Sequence, residues 1–234
     1  IKAVYNLGLN MKPVTIQRFG SGHDQMSGEG YKSAAEIRRM MISGRDIAAV
    51  LPESAYAVYK REEKLGRGPV VPESLESAVI SRLRMLPDEA YERLPDAGEG
   101  LHNRVAKAAK EECSVDAILA AGKSKRYALS RIRRMVMCAA LGISADMADE
   151  TPPYARVLAA SVRGCELLHN MRQTARKPII IKPADVKNCG DDCRKLFELG
   201  SGAHDLYVLG YAARGERRGG SDWRTSPKII AENG

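Results

Sequence analysis

The spacing of apolar side chains predicts a chain that is helical in its middle and mixed at both ends. Between about residue 46 and residue 150, apolar residues recur every three or four positions, as at Leu75, Val79 and Leu83. This is the period of an amphipathic helix. Three short apolar runs are typical of strands instead: 13–19, 154–161 and 178–182. We therefore predict a mainly α fold with α/β parts.

Residues that favour helix ends mark two boundaries with particular clarity. Ser33 and Glu36 have the spacing of a capping box, which predicts a helix that starts at Ser33 and stops near Gly44. A second helix is expected over residues 130–141. Gly142 follows it and favours the left-handed conformation that ends many helices.

The C-terminal third has a different pattern. A helix over 164–172 between two strands predicts a small parallel pair with a crossover connection. Another helix is expected over 194–209, with an interruption near Gly200, because glycine is a poor helix former. Residues 211–234 are rich in arginine and glycine, and we expect a flexible tail.

Composition narrows the possible partners without selecting one. The 234 residues carry a formal net charge of +8. Such a charge is compatible with a nucleic acid, an anionic membrane surface or an acidic protein. No apolar run approaches the roughly 20 residues that a membrane-spanning helix needs, and we expect no membrane association.

Cysteine usage indicates a reducing compartment. The five cysteines are odd in number and scattered along the chain, which is typical of free thiols in the cytoplasm. Cys189 and Cys193 form the only close pair, whereas a structural zinc site usually has two such pairs. We therefore expect a cytoplasmic protein without a bound metal.

A basic block over 123–135 is the strongest functional signal. Six of its first twelve residues are Lys or Arg, and the block contains no acid. A helix here would bury Ile132 and present the tyrosine and arginines of its other face, which favours phosphate binding and base stacking. A solvated charged surface remains the alternative. The residues expected to contact nucleic acid are Lys123, Lys125, Arg126, Tyr127, Arg131 and Arg134.

The helix start at Ser33 is a weaker candidate for a phosphate site. Free backbone N–H groups at a helix N-terminus attract phosphate, and Arg38 would add positive charge. A plain capping box without a ligand explains the same residues. The four histidines have no spacing that indicates a metal or a catalytic pair, and no catalytic residue is predicted.

Six segments, taken in order, carry a family resemblance. They are 15–18 followed by His23 and Asp24, then 33–38, 99–104, 123–134, 153–158 and 177–182. Together they span residues 1 to about 207 and resemble the bacterial tRNA(Met) cytidine acetate ligases, which are enzymes of nucleotidyltransferase type. Each segment is short, but their order and spacing are similar to those of that family.

The resemblance implies a two-step reaction. ATP and acetate would form acetyl-adenylate and pyrophosphate, with magnesium as the counter-ion of ATP. The acetyl group would then pass to the exocyclic amine of the wobble cytidine of elongator tRNA(Met) and leave N4-acetylcytidine. The expected cofactor is therefore ATP, the second substrate is acetate, and the macromolecular partner is tRNA.

The resemblance also assigns residues to the ATP site. Arg18 and Phe19 would contact ATP, and Ser33 and Arg38 would face its phosphates. The family's His-x-Gly-His element, which handles the phosphates, does not occur in this sequence. We therefore expect the chain to bind tRNA without activating acetate, as a part of the ligase.

The implied organisation has four segments, and the oligomeric state stays open. In order, they are the end of a Rossmann-like nucleotidyltransferase domain (1–45), a helical tRNA-binding domain (46–150), a small α/β subdomain (151–210) and a flexible basic tail (211–234). Two other functions fit the same residues. One is a non-catalytic RNA-binding module, and the other is a nucleotidyltransferase that acts on a small molecule.

Overall fold

The computed structural model describes residues 1–17, 32–149 and 151–231. The chain forms two compact units, Ile1–Lys64 and Leu65–Gly234. The functional boundaries expected from the sequence stay predictions, because a contact boundary assigns no function to either side.

The first unit is helical in its described residues. Its elements are α1 (Lys2–Asn6), α2 (Ala34–Ile42), a 3-10 turn (Ala48–Val50) and α3 (Glu53–Lys64). Residues 13–17 have no regular structure, so the strand predicted there is wrong for its described part. Val14 and Ile16 are 77% and 92% exposed. A lone extended segment forms no ladder to satisfy its backbone groups, and among the described residues no strand pairs with it.

The second unit begins with a bundle of short helices. After a 3-10 turn at Pro72–Leu75, they are α4 (Glu76–Met85), α5 (Asp88–Glu92), α6 (Leu101–Glu111), α7 (Val115–Gly122), α8 (Leu129–Leu141) and α9 (Ala145–Asp149). Side chains from several of these helices form one core, in which Leu101, Val105, Ile118, Ile132 and Met135 are inaccessible to solvent. Spacings of three and four residues within a helix bring these side chains to one face, as the sequence pattern predicted.

Local sequence signals fix the ends of α7 and α8. The Ser114 hydroxyl accepts a hydrogen bond from the Ala117 N–H (3.1 Å) and caps α7. Gly142 has a φ of 76°, and the N–H of the next residue, Ile143, donates a hydrogen bond to the Cys138 carbonyl (2.9 Å). This left-handed stop is the one expected from the glycine.

Arginine side chains of α4 bind backbone carbonyls at the C-terminal ends of two other helices. Arg82 donates from Nε to the Ala140 carbonyl (3.0 Å) near the end of α8. Arg84 binds the carbonyls of Ala109 and Glu112 at the end of α6, with N–O distances of 3.1 and 3.0 Å. Such carbonyls have no partner within their own helix, and a guanidinium supplies donors and positive charge at the negative end of the helix dipole.

The C-terminal part adds short strands and two longer helices. Its elements are β1 (Ala155–Arg156), β2 (Ala159–Ser161), α10 (Val162–Thr174), β3 (Ile179–Ile180), a 3-10 segment (Pro183–Asn188), α11 (Asp191–Val208), a 3-10 turn (Arg214–Glu216) and β4 (Lys228–Ile230). The predicted parallel pair is present, with Ala155 opposite Ile179. The single strand expected over 154–161 is two strands. They belong to different sheets, because β1 pairs with β3 and β2 pairs with β4.

Helix α11 is continuous, so the interruption predicted near Gly200 is wrong. Each glycine in a helix costs about 1 kcal/mol relative to alanine. Packing offsets the cost of Gly200 and Gly202, because Phe197 and Val208 on either side of them are buried at 1% and 3% exposure. The fold class predicted from the sequence, mainly α with α/β parts, is confirmed.

Residues 211–231 are folded, which corrects the prediction of a flexible tail. Strand β4 pairs in parallel with β2. Trp223 packs edge-on against Phe197 of α11, with ring centroids 4.6 Å apart. Asp222 bridges Arg156 of β1 (2.6 Å) and His204 of α11 (2.7 Å). These contacts provide the apolar burial and paired charge that arginine- and glycine-rich composition alone does not reveal.

None of the helices within the described ranges is both long enough and apolar enough to cross a membrane.

The pKa of Asp222 makes the attachment of this segment sensitive to acid. Burial would raise that pKa, but hydrogen bonds from Arg156 and His204 outweigh it and hold the pKa below its usual value. A lowered pKa means that the ionised carboxylate stabilises the fold above the unfolded pKa of about 3.9. This stabilisation is lost as pH falls through the folded pKa.

We expect Asp222→Asn to lower the free energy of unfolding by about 2 kcal/mol at neutral pH. The deficit should be present above the unfolded pKa of about 3.9 and should shrink as pH falls through the lowered folded pKa. Urea titrations followed by the emission of Trp223, the single tryptophan, measure it. Glu166→Gln is the control, because Glu166 is exposed on α10 and has no ion pair with any described residue. Equal stability of Asp222→Asn and the parent at neutral pH would contradict this account.

Candidate nucleic-acid interface

Three exposed cations precede helix α8. Lys123, Lys125 and Arg126 project from the segment between α7 and α8. The Ser124 hydroxyl accepts a hydrogen bond from the Arg126 N–H (3.2 Å), which fixes the local turn. No carboxylate of the described residues forms an ion pair with any of the three cations. They lie just before the positive N-terminal end of α8, so their field adds to that of the helix.

Tyr127 does not face outward, and the expectation that it presents its ring for base stacking is wrong. Its exposure is 7%, and it belongs to the helical core. Its hydroxyl donates to the Glu99 carbonyl (2.5 Å). A buried tyrosine needs a partner for its hydroxyl, and this one finds it in the loop before α6.

Arg131 is half-buried and held by protein groups, with 26% of its side chain exposed, so it is not the free outward cation that was predicted. It donates from Nε and Nη2 to the Asp96 carbonyl (3.1 and 3.0 Å) and from Nη2 to the Gly98 carbonyl (3.2 Å). Its Nη1 also pairs with the Glu99 carboxylate at 3.0 Å. The guanidinium lies 5.5 Å from the centre of the Tyr127 ring. Four of the five N–H donors of this guanidinium are therefore occupied by protein groups.

Arg134 is intermediate between these two situations. It forms an ion pair with Asp96 (2.5 Å), but 61% of its side chain is exposed. An exposed ion pair contributes little to stability, so a phosphate can compete for this guanidinium. The next residue back, Arg133, is exposed and has no ion pair with any described residue.

The loop that receives these side chains is strained. Asp96 and Glu99 have φ angles of 64° and 62°, and residues other than glycine pay roughly 1 kcal/mol or more there. Bonds from Tyr127 and Arg131 hold the loop in this conformation. Asp96 and Glu99 are the partners that sequence reasoning missed, because they lie about thirty residues before the basic block.

The predicted phosphate site at α2 is only partly available. The Ser33 hydroxyl caps the helix by accepting from the Glu36 N–H (3.2 Å), as the capping box predicted. Ser33 and Glu36 are both buried, and the Glu36 carboxylate pairs with Lys32 (3.0 Å). Arg38 is exposed. Two further residues assigned to ATP, Arg18 and Phe19, lie outside the described residues.

Comparison with known proteins gives three findings in agreement. A family model described as HIGH Nucleotidyl Transferase matches residues 1–222. The tRNA(Met) cytidine acetate ligase of Thermosipho africanus is 30% identical and covers 98% of this chain and 59% of its own length. That of Syntrophomonas wolfei is 28% identical, with 97% and 58% covered. The apo crystal structure of Thermotoga maritima TmcAL is 26% identical, with a TM-score of 0.87, and covers 98% of this chain and 58% of its own.

The coverage is unequal on the two sides of each comparison. Nearly all of this chain is matched, but the chain spans less than two thirds of the length of these relatives. Because the matches extend over nearly all of this chain, they show its family and its fold.

Arg131 and Arg133 allow a matched test on one helix. We expect Arg131→Gln to lower the free energy of unfolding by about 2 kcal/mol, because it leaves the Asp96 carbonyl of a strained loop unpaired and removes the ion pair with Glu99. Arg133→Gln removes the same charge from an exposed position and should change it by no more than about 0.5 kcal/mol. Urea unfolding followed by circular dichroism measures both. Equal losses in the two variants would show that Arg131 is not a structural clamp.

Proposed function

The chain belongs to the HIGH Nucleotidyl Transferase family, and on that premise we propose that it is part of an ATP-dependent ligase that acetylates a cytidine of tRNA(Met). The relatives named for that activity support the proposal, because they match 97–98% of the chain. The reaction would activate acetate as acetyl-adenylate and then transfer the acetyl group to the cytidine amine. A cytoplasmic location, where tRNA is found, is part of the proposal.

The observation that carries the tRNA assignment is the trio of exposed cations Lys123, Lys125 and Arg126. They have no acidic partner among the described residues, and they stand on a fixed turn beside a helix N-terminus. Uncompensated cations bind a phosphate backbone by releasing its condensed counterions. Arg134 would join them by exchanging the Asp96 carboxylate for a phosphate. Tyr127 and Arg131 would support this surface from beneath.

The ATP assignment is carried by family membership, with Arg38 as the described residue best able to act. An exposed guanidinium can neutralise charge that develops on the α-phosphate and on leaving pyrophosphate. Ser33 would position the helix start through its cap. Arg18 and Phe19 complete the proposed set, with magnesium as the counter-ion of ATP and acetate as the co-substrate. Because the 234 residues contain no His-x-Gly-His sequence, we propose that this chain alone binds tRNA but does not form acetyl-adenylate.

Binding of a tRNA(Met) transcript at several salt concentrations tests the tRNA surface. We expect the triple variant Lys123→Gln, Lys125→Gln, Arg126→Gln to reduce the slope of log affinity against log salt by about 2 to 3. The matched control removes three cations that each have an acid within one helical turn: Lys107, Arg194 and Lys195. An unchanged slope in the first triple variant would overturn the assignment.

Exchange of labelled pyrophosphate into ATP tests the activation step separately. With acetate and ATP present, we expect this chain to give no exchange above a protein-free blank. Addition of tRNA should not change that result, because activation precedes transfer. Acetate-dependent exchange by the chain would show that it holds a complete activation site, while the tRNA assignment would stand or fall on the binding experiment.

A further inference from the structure

The folded C-terminal segment carries a second group of exposed cations. Residues 211–231 contain five basic residues and two acids. The four arginines of the loop are all exposed and lie within eleven residues: Arg214, Arg217, Arg218 and Arg224. We call residues 214–224 the basic loop. The residues on either side of it belong to the folded segment 211–231.

Both acids of the basic loop are neutralised from outside it. The Glu216 carboxylate pairs with Arg67 (2.7 Å), and the Asp222 carboxylate pairs with Arg156 (2.6 Å). A third carboxylate that approaches the loop, Asp205 of α11, accepts the N–H of Gly220 (2.6 Å). No described carboxylate forms an ion pair with the loop's own arginines. The four arginines of the loop therefore have no ion-pair partner among the described residues.

The backbone that carries these arginines is held in place. Gly219 lies so close to α11 that a Cβ there would stand 3.0 Å from the Asp205 carboxyl carbon. Trp223 packs on Phe197, and β4 continues the segment into a parallel pair. Fixed cations lose less conformational entropy on binding than cations on a disordered tail.

Two of the arginines are also oriented within the loop. Arg217 donates from Nε to the Tyr211 carbonyl (2.7 Å), and Arg224 donates from Nη2 to the Gly219 carbonyl (2.8 Å). Each bond uses one of the five N–H donors of a guanidinium, so the remaining donors can pair with phosphate oxygens. The side chains of Arg214 and Arg218 have no polar partner among the described residues.

The chemistry of the basic loop favours an RNA backbone over a membrane surface. Peripheral membrane binding combines basic side chains with inserted apolar ones. Residues 211–226, all of which the structure describes, expose no large hydrophobic side chain, and the exposed Ile229 and Ile230 lie beyond the loop in β4. A guanidinium matches a phosphate in a bidentate geometry. The loop also exposes no aromatic ring for base stacking, because Trp223 is held against Phe197, so its contacts would be to phosphates and not to bases.

From these observations we infer that the basic loop is a second, sequence-independent contact for the phosphate backbone of tRNA. The inference rests on the proposed function, since it names a further surface for the same partner. The loop supplies affinity and holds the RNA in position. Sequence discrimination lies elsewhere.

The test is binding of a tRNA(Met) transcript to the full chain as salt is varied. We expect Arg214→Gln with Arg218→Gln to weaken binding about tenfold at about 0.15 M salt and to lower the salt slope by about 2. Arg214→Lys with Arg218→Lys keeps the charge and should keep most of the slope. The matched control is Arg61→Gln with Arg194→Gln, which removes two exposed arginines that each pair with a nearby glutamate. Trp223 emission reports whether the loop stays folded.

The outcomes separate this inference from the proposed function. If the loop variant binds tRNA like the parent while the Lys123, Lys125, Arg126 variant is weakened, the loop inference is overturned and the tRNA surface stands. If the parent does not bind tRNA at any salt concentration, both are overturned. Cosedimentation with vesicles of phosphatidylserine and phosphatidylcholine is the second arm. Loss of vesicle binding with intact tRNA binding would make the loop a membrane surface and overturn the inference.

Discussion

Pairing of carbonyl groups at helix ends is the constraint on which the helical part of this protein depends. Every helix leaves its last carbonyls without a partner, and a bundle of short helices has many such ends. Arg82, Arg84 and Arg104 each reach the end of a neighbouring helix. Arg131 does the same for the loop before α6. A guanidinium is suited to this task, because its donors lie in one plane and its charge favours the negative end of the helix dipole.

The basic residues therefore form two groups: arginines that bind carbonyls of the protein, and cations that are exposed to solvent. Arginines such as Arg84 and Arg131 are part of the framework, although their charge counts toward the formal total of +8. Lys123, Lys125 and Arg126 are exposed and have no acidic partner among the described residues. Net charge alone therefore overstates the size of a nucleic-acid surface, since the framework arginines count toward the charge but bind carbonyl groups of the protein.

The C-terminal part uses carboxylates in a complementary way. Glu216 and Asp222 are each paired with an arginine from an earlier part of the unit, and Asp205 is bonded to the backbone of the loop. Acids are thereby turned inward as anchors while the arginines of the same loop stay exposed. The result is a fixed basic surface built from a segment whose composition is typical of a disordered tail. Together with the turn before α8, it gives the second unit two exposed basic surfaces of defined backbone conformation, as the proposed binding of tRNA requires.

The sequence by itself determined the local features. The apolar period placed the helices, Ser33 and Ser114 capped theirs, and Gly142 ended α8. Each of these depends on residues within a few positions of one another. The order and spacing of the short motifs also identified the family, because both can be read directly from the sequence.

Only the tertiary structure decided which side chains are free. Tyr127 and Arg131 were expected on an outward face because the basic block contains no acid, but Glu99, distant in sequence, lies against both of them. Likewise, the attachment of residues 211–231 depends on Phe197 and Arg156, which lie far away along the chain. Burial and ion pairing are set by neighbours in space. A helical period gives the direction of a side chain around its own axis, but it does not specify what stands opposite.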